Sequence, residues 1–139
     1  MSFAIGIAMA LVICLAARLV GFDRDRAFYP ILLIAIASYD LVFALLTQDI
    51  GVIAAECLLA FVFIVMAVLG FSKWPLLVVL GLAGHAAADV VHPHLIGNSG
   101  IPGWWPGFCA GFDVAAALAL GYILHVARKN PQADAHTVS

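Results

Sequence analysis

Five runs of apolar residues, at positions 2–20, 28–47, 51–72, 74–91 and 105–127, are separated by short polar breaks. Each run is close to the ~20 residues that an α-helix, rising ~1.5 Å per residue, needs to cross ~30 Å of hydrocarbon. The breaks have local causes. Asp23-Arg24-Asp25-Arg26 sets charges side by side, Gln48-Asp49 precedes Gly51, and Ser72-Lys73-Trp74-Pro75 combines a charge with a proline. The last break, Pro93 to Pro106, is rich in glycine and proline, which favour turns over helix. The pattern predicts an all-α integral membrane bundle of about five transmembrane helices. Positions 1–129 form a single transmembrane domain in this reading, and 130–139 a polar, disordered tail.

Composition removes the soluble alternative. Hydrophobic residues make up 65% of the 139 positions and charged residues 10%, and the mean hydropathy is +1.14. A water-soluble domain of this length needs far more charged surface, so the first expected partner is the lipid bilayer. A net charge of −2 without a basic run gives no footprint for nucleic acid, and that class is dropped. Cys14, Cys57 and Cys109 all sit inside apolar runs and read as packing residues rather than a disulfide or zinc framework. Ile13 stands before Cys14 where a lipoprotein cleavage site needs a small residue, and no Lys or Arg precedes the first run. That run is expected to stay as an anchor.

Charge placement predicts orientation. Arg18, Arg24 and Arg26 cluster at the first connection, Lys73 lies in the third, and Arg128 and Lys129 follow the last run, while the second and fourth connections carry no Lys or Arg. By the positive-inside rule the N-terminus is outside and the C-terminus cytoplasmic, as in a bacterial inner membrane protein. Trp74, Trp104 and Trp105 fall at run ends, where amphipathic rings favour the membrane interface.

Several ionisable residues interrupt this apolar background: Asp40 in the second run, Glu56 in the third, His85 and Asp89 in the fourth and Asp113 in the fifth, with His92 and His94 just beyond the fourth. An Asp at a helix centre costs ~2.5–3.5 kcal/mol on insertion scales, so each such group asks for a partner. Counted at ~1.5 Å per residue from the outer ends, Asp40, Glu56, His85 and Asp113 share a layer roughly 8–12 Å deep. His85, Asp89 and His92 are spaced i, i+4, i+7 and stack on one face of the fourth helix, and His94 follows Pro93 and can fold back. Imidazoles with carboxylates suit zinc, iron or manganese, and His85, Asp89, His92 and Asp113 are the expected ligands. The plainer alternative is interhelical hydrogen bonding without chemistry. The loop from Gly97 to Gly107 could cap the site with Trp104 and Trp105 across its mouth, or merely anchor in the interface, and Ser38 and Tyr39 stand beside Asp40.

The segment GHAAADVVHPHLIGNSGIPGWWPGFCAGFD, containing His85 to Asp113, resembles small bacterial multi-pass membrane proteins whose function is unassigned. The combination of Ser38, His85, Asp89 and further histidines is similar in part to the alkaline ceramidase-like membrane hydrolase superfamily, in which a Ser, an Asp and three His serve a zinc site. Those proteins have more spans and distribute the motif over separate helices, so the likeness implies zinc chemistry without assigning roles. Membrane desaturases and alkane hydroxylases are a second comparison, but they use many more histidines than His85, His92 and His94.

Three functional expectations follow. The first is a metal-dependent membrane hydrolase or oxidoreductase acting on a lipid-like or apolar substrate, with Asp89 or Glu56 as general base toward metal-bound water. The second is a proton-, ion- or solute-binding transporter component, which would need a homo-oligomer or a larger membrane complex because no repeat supplies the usual transporter halves. The third is a structural subunit whose polar residues pair only with one another.

Overall fold

The computed structural model describes residues 1–129. Its order is α1 (Ser2–Val20), a 3-10 turn (Phe22–Arg24), α2 (Phe28–Thr47), α3 (Ile50–Ser72), α4 (Leu76–Leu95) and α5 (Trp105–Lys129). No strand occurs among the described residues. The expected tail at 130–139 and His136 lie outside them. All five helices, of 19 to 25 residues, are long and apolar enough to span a membrane. Side chains such as Leu11, Val42, Leu58, Leu80 and Leu118 point outward, an apolar surface compatible with lipid.

The helix boundaries follow from local chemistry. Thr47 Oγ1 donates to the Ala44 carbonyl at 2.7 Å and accepts from the Asp49 N–H at 3.1 Å, which closes the end of α2. The Asp49 carboxylate then caps α3, accepting from Gly51 N at 2.8 Å and Val52 N at 3.2 Å, so α2 and α3 are joined by two residues and must pack antiparallel. At the far end of α3 the Trp74 N–H returns to the Leu69 carbonyl, and Pro75 precedes the first turn of α4.

The largest boundary difference from the sequence reading falls at the end of the fourth helix. The fourth helix does not stop at residue 91 but runs through Pro93 to Leu95, bringing His92 inside it. Pro93 has no N–H for the Asp89 carbonyl, so the helix runs on at the loss of that one hydrogen bond, and the Ile96 N–H still bonds the His92 carbonyl at 3.0 Å. His94 therefore does not fold back. It stays on the helix and is exposed. Of the cysteines, Cys109 is buried as a packing residue, whereas Cys57 faces outward.

α1 packs along α5, α5 against α4, α4 against α3 and α3 against α2, around Leu33, Phe63, Val78, Leu82 and Ala116. The α1–α5 seam is made by small residues. A Cβ on Gly6 would lie 2.0 Å from the Phe108 carbonyl oxygen, and one on Gly111 would lie 2.2 Å from that of Phe3. Gly107 and Gly111, four apart on α5, thus let the two backbones touch, which is how helices associate when burial from water is not the driving force. Gly111→Leu is expected to push the helices apart and destabilise the bundle by at least ~1–3 kcal/mol. Gly103→Ala, where an added Cβ meets nothing within 4 Å, should be neutral. Thermal denaturation in detergent distinguishes them, and a Gly111→Leu protein melting like wild type would contradict this seam.

Candidate functional site

Antiparallel winding brings the polar residues of four helices into one buried cluster: Asp40 from α2, Glu56 from α3, His85, Asp89 and His92 from α4, and Asp113 from α5. None of the six is more than 4% exposed, so protein rather than water must supply their partners. α1 contributes no ionisable side chain to this layer.

His85 is the hub. Its Nδ1 lies 2.9 Å from Asp113 Oδ2 and 3.4 Å from Asp89 Oδ2, and its Nε2 lies 3.8 Å from Asp40 Oδ2. The ring edges against Phe63 of α3 at a centroid distance of 4.8 Å, which closes the site with an apolar wall. Two helical turns further along α4, His92 Nε2 and Glu56 Oε1 are in direct contact at 2.5 Å.

The outer boundary comes from the loop between α4 and α5. Asn98 is buried, and its Nδ2 donates to Glu56 Oε1 at 2.9 Å and to the Asp40 carbonyl at 3.2 Å. Its Oδ1 accepts from the Gly100 N–H at 3.1 Å, fixing the turn that aims it inward. The loop lies directly on α2, since a Cβ on Gly100 would be 2.2 Å from the Phe43 carbonyl oxygen. Trp105, half-buried, packs against Tyr39 and Phe43 at 5.2 and 5.1 Å, while Trp104 is exposed. This loop does cap the polar layer, and Asn98 is the residue that reaches into it.

Two sets of side chains are close enough to hold a metal ion: Asp40, His85 and Asp89, and Asp40, Glu56 and His92, with the ligand atoms of each set within 4.8 Å of one another. The four residues expected as ligands are therefore brought into one cluster but not around one point. His85 and Asp89 belong to the first set and His92 to the second, while Asp113 stands behind His85. A carboxylate on the far ring nitrogen is the usual outer partner of a metal-binding imidazole, fixing its tautomer and direction. Of the two expected bases, Glu56 is held by both His92 and Asn98, whereas Asp89 Oδ2 has no hydrogen-bond partner, and neither has Asp113 Oδ1. Ser38 takes no part, because its hydroxyl donates to the Ile34 carbonyl at 2.7 Å within α2. Tyr39, His94 and His125 are exposed.

Charge decides what the cluster needs. Four ionised carboxylates with both imidazoles protonated leave a net charge of −2, and with neutral imidazoles −4. No Lys or Arg faces them, since the six basic residues lie at the other end of the bundle. Either protons or a cation must supply the balance.

Asn98→Ala should remove one of the two donors to Glu56 and cost ~1–3 kcal/mol of stability. Asn98→Asp should cost more near neutral pH, because it sets a fifth carboxylate against Glu56, and the difference should shrink as acid protonates the added group. Thermal unfolding of both variants across pH reads this out, and equal, pH-independent losses would mean that Asn98 acts only as a turn residue.

In comparisons with known proteins, no family matches the sequence, and no curated protein or solved structure is detectably similar to it.

Proposed function

We propose that this chain is a five-span membrane protein, N-terminus outside and C-terminus cytoplasmic in a bacterial-type inner membrane, whose buried cluster is a divalent-metal centre serving chemistry on a lipid-like or otherwise apolar substrate. The observation that carries the metal reading is the sharing of Asp40 between two His/carboxylate sets in a buried cluster of four carboxylates and two imidazoles that no Lys or Arg faces. Distances favour the His85 set as the ion's position. The 3.8 Å between His85 Nε2 and Asp40 Oδ2 leaves room for an ion bonded to both at ~2.0–2.2 Å. The 2.5 Å between His92 Nε2 and Glu56 Oε1 does not, because the two atoms already meet directly.

In this reading Asp40, His85 and Asp89 hold the ion, Asp113 orients His85, and the His92–Glu56 pair holds a proton one layer outward. A bound metal would lower the pKa of a water toward neutrality. Asp89, with one carboxylate oxygen unpartnered, is the group placed to take that water's proton. Mixed nitrogen and oxygen donors fit zinc, iron or manganese. Apolar helices without a soluble domain support a substrate that arrives through the lipid phase.

A second reading, a proton-linked carrier component working as a homo-oligomer or with partner subunits, draws support from the same His92–Glu56 contact and from the unpartnered oxygens of Asp89 and Asp113. Metal titration separates the two. Calorimetry of metal-free protein with Zn²⁺, Mn²⁺ and Fe²⁺ in buffers of different ionisation enthalpy should give one saturable site with proton release. Affinity should fall with pH as imidazole and carboxylates are protonated. His85→Ala should abolish binding and Asp113→Asn weaken it by about 10–100-fold. Absence of saturable binding for all three metals would leave the carrier reading ahead.

Orientation is tested separately. A reporter active only in the cytoplasm should work when fused after Ser139, and one active only outside should be silent. The reverse pattern would overturn the assignment.

A further inference from the structure

α1 and α5 touch at their Gly6–Gly111 end, but between their second halves and the start of α2 they leave a crevice of about 570 Å³. That volume falls within the ~300–1,000 Å³ of small-molecule sites. Its walls are apolar, chiefly Leu11 and Leu15 of α1 with Ile123 and Val126 of α5, and Tyr29 forms part of its lining. At its polar end the Arg18 guanidinium donates to Asp23 Oδ2 at 2.8 Å.

That ion pair is unevenly solvated. The Arg18 side chain is 65% exposed, whereas that of Asp23 is 1% exposed, and Asp23 Oδ1 is buried without a hydrogen-bond partner. Asp23 lines the crevice and holds a buried carboxylate oxygen that has no donor among the described residues, and such an oxygen calls for one, preferably cationic. Among the described residues Arg18 donates from one guanidinium nitrogen only, to Asp23, so its other N–H groups can meet an anion. The site therefore asks for a ligand that carries an anion and an N–H-bearing cation a few atoms apart, joined to an apolar chain.

We propose that this crevice binds an amine-bearing zwitterionic phospholipid of the ethanolamine type, with the phosphate on Arg18, the ammonium on Asp23 Oδ1 and one acyl chain between α1 and α5. The position agrees with the bilayer. Arg18 and Asp23 lie at the end of the bundle that also carries Arg24, Arg26 and Lys129, where lipid headgroups would meet the first connection. The site is separate from the His/carboxylate cluster and does not depend on its assignment. Choline lipids present the same charges but no N–H, so they can satisfy Arg18 and not Asp23.

The test uses the purified full chain, delipidated and then mixed with lipids of identical acyl chains: phosphatidylethanolamine, its N-methyl and N,N-dimethyl derivatives, phosphatidylcholine and phosphatidylglycerol. Retention is measured by native mass spectrometry. Binding should weaken along the methylation series, with the ethanolamine lipid held about ten-fold more tightly than the choline lipid, as expected for loss of hydrogen bonds to a charged group. Asp23→Asn should erase that discrimination. Equal retention of ethanolamine and choline lipids by the wild-type chain would overturn the proposal without reference to any variant. So would tighter binding of phosphatidylglycerol, or discrimination that survives Asp23→Asn.

Discussion

Four carboxylates and two imidazoles buried in an apolar bundle are the constraint on which the rest of the structure turns. An Asp turned toward hydrocarbon costs ~2.5–3.5 kcal/mol at a helix centre, so rotating any one of α2, α3, α4 or α5 by a fraction of a turn would be opposed by the group it carries. His85 meets carboxylates of three helices: it is at hydrogen-bond distance from Asp113 of α5, with Asp89 of its own helix at 3.4 Å and Asp40 of α2 at 3.8 Å. Rotation and depth of four helices are fixed together. α1 brings no such group and is held by another device, the glycine contacts that let its backbone meet that of α5.

A polar layer of this kind holds its value only while water stays out, because interactions that are strong in a low dielectric are diluted by solvent. Phe63 seals the apolar side. The loop between α4 and α5 seals the other, and it does so with an amide rather than an ion. Asn98 supplies two N–H donors to an acceptor-rich cluster and uses its own oxygen to bind Gly100. A lysine there would place a charge beside His92, and a leucine would leave Glu56 short of a donor.

How much of this was legible in the sequence depends on which physical term decided it. Span lengths and the gathering of the polar residues into one buried cluster were legible because bilayer thickness and the cost of burying charge act on each helix separately. The i, i+4, i+7 spacing of His85, Asp89 and His92 correctly put them on one face. It could not say that this face meets two different neighbours, so that His85 turns to Asp113 of α5 while His92 turns to Glu56 of α3. Asp40 was visible as a member of the layer, but its place in both metal-capable sets depends on how α2 and α4 pack. Asn98 lies in a loop of glycines and prolines, and only the tertiary fold reveals that it is buried. The extension of α4 to Leu95 was hidden by Pro93, which reads as a helix breaker although the helix continues two residues past it.

The cluster and the lipid crevice are both built partly on α5, which raises the question of whether they communicate. From Asp113 to Tyr122 the helix advances nine residues, or about 13 Å. Between them lie the buried residues Ala115, Ala116 and Ala117 and no ionisable group, so no chain of hydrogen bonds along α5 links the two. Electrostatic coupling over that distance through Arg18 is small as well, because Asp23 already neutralises it. What remains is mechanical. α5 is a continuous helix gripped by α1 near Gly111, with Asp113 two residues further along, and the crevice opens from Leu11 and Ala119 onward. A ligand wedged between the second halves of α1 and α5 would lever about that grip. Because that contact lies so close to Asp113, such a displacement would be small at the cluster.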